Sequence, residues 1–325
     1  MQDFHCPHCG NQLAFENSQC LRCGSAVGIA PPLAGFALVG TGFARCANVE
    51  VAACNWLVRS PGTLCRSCAL TRTRPADSDT AALIEFVKAE AAKRRLIFEL
   101  DALRLPIAAR ADDPSGVTFD LLSSEFEPVS TGHNDGVITL DLAEGDDVHR
   151  EQLRTSMDEP YRTVLGHFRH EIGHYYFTVL VADPDQADFT KLFGDPDTDY
   201  QAALDRHYSQ GPPANWGEQY VSAYATMHPA EDWAETFAHY LHIRDSLDTA
   251  AAFAFAPSGV AIGLVPPTEI GFDRIIDEWL PLAWSLNMLN RSMGQDDLYP
   301  FVLSPSVLDK LRFVHRLVQR AALSS

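Results

Sequence analysis

A glutamate set between two histidines in His170-Glu171-Ile172-Gly173-His174 restricts what the surrounding chain can become, because that spacing does chemistry only on a helix. One helical turn puts residues four apart on the same face. Both imidazoles can then reach one metal ion while Glu171 faces a water bound to it. The neighbouring pattern agrees: Val164, Leu165, Phe168, Ile172, Tyr175, Tyr176 and Val179 recur mostly at steps of three and four, which predicts a helix with one buried face, opening at Pro160. Two histidines on such a helix are ordinarily hydrogen-bonded core residues. In that role Glu171, with no Lys or Arg three or four residues on, would be left unexplained.

A catalytic zinc needs a third protein ligand and an open position. The metzincin solution requires a histidine six residues after the second, and that position is Leu180. The other solution takes a glutamate from a second helix, for which the best stretch runs from His228 to His242. Glu231 and Glu235 lie one turn apart on one face, with Trp233, Phe237 and Leu241 on the other. One carboxylate can bind metal while the other orients a ligand histidine. His239 and His242 compete for the same role but lie roughly two and three turns further along, which ranks them below Glu231.

The eight cysteines form two sets. Cys6, Cys9, Cys20 and Cys23 make two Cys-x2-Cys knuckles, each followed at once by a glycine, which is the pattern of a zinc ribbon. Cys46, Cys54, Cys65 and Cys68 are looser, with only the last two at knuckle spacing, and read as a second four-thiolate zinc site. The start of the chain runs into the first knuckle with no basic and apolar leader, and eight thiols arranged for metal rather than disulfides fit a reducing cytoplasm.

Beyond these motifs, the run from His170 to His242 contains Phe193-Gly194-Asp195, His207-Tyr208, Gly211-Pro212-Pro213, Ser222-Ala223-Tyr224 and Glu231-Asp232-Trp233-Ala234-Glu235. With the cysteine knuckles and Leu298-Tyr299-Pro300-Phe301-Val302-Leu303-Ser304-Pro305, it resembles a zinc-binding metallopeptidase family that carries an N-terminal zinc ribbon. The site is also similar to that of anthrax lethal-factor-type gluzincins. There a metal-binding glutamate precedes a second one by four residues, and a tyrosine lies seven residues before the ligand. This resemblance implies Glu231 as the ligand, Glu235 as the residue that orients a histidine, and Tyr224 as the donor to a developing oxyanion. Glu171 is then the general base of a peptide hydrolysis. The distance in sequence from His174 to Glu231 is longer than in those proteins.

The expected architecture is therefore α+β: a zincin-like, gluzincin-type domain, mainly helical with a small sheet, over residues 80–325, preceded by a zinc ribbon at 1–30 and a second four-cysteine module at 31–79. Further helices are expected over Asp77 to Leu103, after Gly271, and from Ser306 with a cap through Asp309. Residues 136–142 alternate after a turn signal and read as a strand, which could pair with an extended substrate if it lay at an edge above the metal. The uncharged stretch Ala250 to Pro267 is broken by Pro257, Gly259 and Gly263 and reads as a packed loop or cleft wall rather than a membrane span.

Net charge is −18, and residues 1–80 carry a formal +1, so the acidity lies in the remaining 245 residues at −19. Such a surface disfavours nucleic acid, and the thiolates of a metal site would offset Arg59, Arg66, Arg72 and Arg74. The expected partners are a peptide or protein substrate and, through the zinc-ribbon region, a protein. One catalytic and two structural zinc ions are implied. The contrasting expectation is a zinc-ribbon adaptor whose zincin domain binds without cleaving; it would not need Glu171.

Overall fold

The computed structural model describes residues 1–31, 34–125, 127–145 and 163–324. The chain divides into two compact units. The first holds both cysteine modules. β1 (Phe4–His5) pairs antiparallel with β2 (Gln12–Leu13), β3 (Val27–Ala30) with β4 (Gly35–Leu38), and β5 (Ala44–Arg45) with β6 (Leu57–Val58). Gly10 and Gly24 close the first two knuckles at φ +71° and +72°, a left-handed conformation that disfavours any side chain. The β5–β6 hairpin accounts for the loose look of the second set. It folds Cys46 back beside Cys54, with Cys46 N–H donating to Trp56 O, while Cys65 caps a short helix α1 (Arg66–Ala69) that carries Cys68.

Helix α2 (Thr80–Ala102) begins where Asp79 Oδ1 accepts the N–H of Ala82. It serves both modules. Phe98 packs on Phe4 and Phe15, with ring centroids 5.8 and 5.3 Å apart. Glu90, Lys93 and Arg94 are buried on the second module, where Glu90 accepts from Lys93 Nζ and Thr71 Oγ1, both at 2.5 Å. A mixed sheet follows, from β7 (Thr71–Thr73), β8 (Thr118–Leu122), β9 (Gly132–Asn134) and β10 (Val137–Asp141), in the order β7-β8-β10-β9 with only β9 antiparallel. The strand expected at 136–142 forms, but it is paired on both sides and is no free edge for a substrate. α2 as far as Leu100 and this sheet belong to the same compact unit as the cysteine modules.

The second unit is helical: α3 (Val164–Leu180), α4 (Gln186–Phe193), α5 (Tyr200–Gln210), α6 (Pro229–Ala252), α7 (Phe272–Ser292) and α8 (Pro305–Ser324). Thr163 caps α3 through the N–H of Gly166; the opening expected at Pro160 falls outside the described residues. Phe168, Ile172, Tyr175 and Tyr176 are buried as their spacing requires, but Val179 is exposed. α4 and α5 are short and mostly polar, and the apolar pattern does not announce them. α8 starts one residue earlier than expected, because Pro305 suits a first helical position and Ser304 Oγ accepts the N–H of Val307; Asp309 pairs with Arg312 instead of capping. α6 runs on to Ala252, and the loop after it exposes Phe253, Phe255 and Leu264, so that stretch is not packed as expected. Among the described residues no helix is long and apolar enough to cross a membrane.

The core of this unit gathers Phe189, Phe193, Trp233, Phe237 and Phe313. Within it, Lys310 Nζ donates to Asp232 Oδ2 at 2.6 Å and to Gln219 O at 2.7 Å, with both charged side chains almost wholly buried. Burial pushes the Asp232 carboxyl up to about 7, against the pull of Lys310. Removing one partner strands the other charge in the core. Lys310→Met should therefore cost about 3–5 kcal/mol in urea unfolding, and adding Asp232→Leu should recover most of that loss. A single variant that unfolds at the wild-type urea concentration would show that the pair does not hold the helices together.

Candidate metal centre

Helix α3 meets α6 at Gly173. A Cβ there would lie 3.1 Å from Ala234 Cα and 3.3 Å from Phe237 Cβ, so the helices approach this closely because residue 173 has no side chain. Trp233 Nε1 donates to Gly173 O at 2.8 Å and locks the register. One turn on either side of this contact, the polar faces of the two helices converge. His170 Nε2 lies 3.2 Å from His174 Nε2 and 3.0 Å from Glu231 Oε2, and His174 Nε2 lies 3.5 Å from the same oxygen.

These separations suit a cation. Donors at about 2.1 Å from a tetrahedral ion stand about 3.4 Å apart, close to the three distances. His170 Nδ1 is 2.6 Å from Glu235 Oε1, so its proton belongs on that side and its Nε2 lone pair points at His174 Nε2 and the Glu231 carboxylate. A cation placed between these atoms would be held by all three. Without a cation the protein supplies a proton: burial opposes it, but Glu231 and Glu235 raise the His170 pKa well above its ordinary value. Burial also disfavours the Glu231 anion, yet His170 and His174 hold its carboxyl well below the usual range. Burial acts likewise on Glu235, which His170 brings down to about 2, with Ser222 Oγ donating to Oε2 at 2.7 Å.

Glu171 is buried beside the group, and its Oε2 has no hydrogen-bond partner among the described residues. Burial raises its pKa, which the two histidines moderate. An orphaned carboxylate oxygen inside a protein is costly unless a ligand or water completes it. Tyr224 lies in a short 3-10 turn, its ring centroid 6.0 Å from that of His170, and burial with the Glu231 charge raises its phenol pKa. Tyr200, at the start of α5, donates to Glu231 Oε1 at 2.9 Å. Sequence reasoning missed Tyr200 and the part played by Ser222, because neither has a motif spacing to the histidines; only the Asp199 cap, which accepts the N–H of Ala202, signals the helix that carries Tyr200. His239 is not brought to this group. Its Nδ1 meets Tyr299 OH at 2.8 Å, and burial lowers its pKa to about 4. His242 packs instead against Trp279 and Tyr299.

The cysteine sets also converge. Cys6 and Cys23 have sulfurs 3.7 Å apart, Cys9 and Cys20 3.6 Å, and Cys54 and Cys65 3.7 Å, far beyond a disulfide bond. Four thiolates around one zinc stand about 3.8 Å apart. Cys46 Sγ also accepts the N–H groups of Asn48 and Cys65, which is the bonding a thiolate needs.

Comparison with known proteins agrees with this geometry. Residues 3–40 and 34–79 each match a zinc-ribbon domain. Relatives from Mycobacterium bovis and Mycobacterium tuberculosis, each named only as an uncharacterized protein, are 60% identical, with 99% of this chain and 96% of theirs aligned. No solved structure matches. Residues 82–317 match the family described as "Putative zinc-binding metallo-peptidase", and the chain belongs to that family.

Proposed function

We propose that the protein is a zinc-dependent peptidase of the gluzincin type. His170, His174 and Glu231 hold the catalytic zinc, Glu171 acts as general base, and the two cysteine sets hold structural zinc. The observation that carries this reading is the convergence of two imidazole nitrogens and a carboxylate beside a buried glutamate oxygen that has no hydrogen-bond partner among the described residues. When bound, zinc supplies a water of lowered pKa and polarises a carbonyl. Glu171 would take the proton of an attacking water and hand it to the leaving amine, a role suited to a carboxyl whose pKa burial has raised. Tyr224 would donate a hydrogen bond to the carbonyl oxygen as negative charge develops on it. Tyr200 donates to Glu231 Oε1 and so holds the ligand carboxylate. Glu235 fixes the His170 tautomer. The adaptor reading gives Glu171 no work to do. A reducing, cytoplasmic setting suits the eight free thiols.

Glu171→Gln should lower peptide hydrolysis by about 10²–10⁴-fold while zinc content stays at the wild-type value, since no ligand is lost. Unchanged turnover in a peptide-cleavage assay would sink the peptidase assignment. Glu231→Ala should empty the catalytic site in metal analysis, whereas Glu235→Ala should only weaken zinc affinity by about 10–100-fold; the reverse order would exchange the two roles. Fully loaded protein should contain three zinc ions per chain, one for each complete set of donors. Mild chelation should remove one of them together with all activity, because a closed thiolate site is part of the fold while a site with an exchangeable water is open. Finding two ions, with Cys46→Ser changing neither zinc content nor stability, would remove the second cysteine set from the account.

A further inference from the structure

We infer that a pocket beside Tyr224 selects peptide substrates by a carboxylate, which it binds through Arg206. This rests on the peptidase reading and adds to it the class of substrate. A cavity of about 250 Å³ lies between α5 and the residues after Tyr224, lined among others by Ala203, Arg206, His207, Pro213, Thr226 and Met227. Two aromatic rings link it to the metal centre. His207 stands edge-on to Tyr224 with centroids 5.9 Å apart, and Tyr224 in turn lies 6.0 Å from His170. A side chain or chain end lodged there belongs to a residue near the bond being cut.

The charge of the pocket is unusual for its surroundings. Arg206 is the only Lys or Arg between Lys191 and Arg244, a stretch that contains Asp195, Asp197, Asp199, Asp205 and Glu218 besides the acidic residues of α6. Among the described residues its guanidinium has neither an ion pair nor a hydrogen bond; Asp205, its neighbour in sequence, instead accepts from Gln201 Nε2. Burial lowers the His207 pKa, so its imidazole is neutral at pH 7 and adds a hydrogen-bonding group but no second cation. An unpaired guanidinium can take a carboxylate in two parallel hydrogen bonds. The acidity of the rest of the chain is screened beyond about 8 Å at physiological salt, so the local cation decides what enters. Ala203, Pro213 and Met227 leave room for the methylenes that carry an acidic group.

Two sources of that carboxylate are distinguishable: an Asp or Glu side chain, or the free C-terminus of the peptide. Zinc-loaded full-length protein should be given a proteome-derived peptide library, half of it amidated at the C-terminus, and the cleaved bonds sequenced. Enrichment of Asp or Glu at one fixed position, unaffected by amidation, identifies the side chain. Cleavage at a set distance from the end, lost on amidation, identifies the terminus. In either case Arg206→Glu should lower kcat/KM for the preferred peptides by about tenfold or more, mainly through KM, and shift the preference towards Lys or Arg at the same place. Arg206→Lys should keep most of the wild-type profile, and zinc content should be unchanged in both. Cleavage without a carboxylate preference, or a preference that Arg206→Glu leaves intact, overturns the inference and leaves the peptidase reading standing. Absence of any cleavage by the wild-type protein overturns both.

Discussion

The candidate centre depends on how closely α3 and α6 can approach. Two imidazoles on one helix are at fixed spacing, but the third donor comes from a helix whose distance is set by packing. At Gly173 the α6 backbone lies where a side chain would stand, and the Trp233 indole N–H takes the glycine carbonyl as partner. A bulkier residue at 173 would push α6 outward and carry Glu231 away from both histidines. The aromatic core behind Trp233 and the buried Lys310–Asp232 pair hold the same helix from its other side. The geometry of the candidate centre and the hydrophobic packing are thus properties of one helix pair.

Electrostatics at the centre is arranged in layers. His170 is held between two carboxylates, one at each ring nitrogen, so its tautomer is decided by Glu235 while its free lone pair faces Glu231. Ser222 and Tyr200 each donate to the outer oxygen of one of those carboxylates, which leaves the inner oxygens for the histidines. Every acid at the site is therefore occupied except Glu171, whose Oε2 stands unpartnered among the described residues. That contrast sets Glu171 apart from the carboxylates engaged with the histidines.

The cysteine modules follow a different logic. Small units of two-residue strands cannot bury enough apolar surface to fold by themselves, and here two things compensate. Four sulfurs in each set converge at distances suited to one zinc, and α2 lends both modules a shared wall, aromatic at Phe98 and ionic at Glu90, Lys93 and Arg94. Buried cations beside the second set, with Arg94 Nη1 donating to Ala52 O, offset the negative charge that four thiolates would bring.

Much of the centre was legible in the sequence. His170, Glu171 and His174 are placed by the helical repeat alone, and Glu231 and Glu235 were narrowed to one face of one helix because a turn is 3.6 residues in any protein. The knuckle cysteines were equally plain, since a short loop leaves their thiols few positions. What only the tertiary structure decided is everything that depends on distance between segments. Which glutamate meets both histidines, why His239 turns instead to Tyr299, and how Tyr200 and Ser222 enter are set by the approach of helices whose contact has no periodic signature. The strand at 137–141 makes the same point: alternation announced it, but pairing partners come from elsewhere in the chain, and they made it an interior strand. Local periodicity reflects the geometry of one element, whereas a site is built from several, and their separation is fixed by side-chain volume at a few contacts such as Gly173.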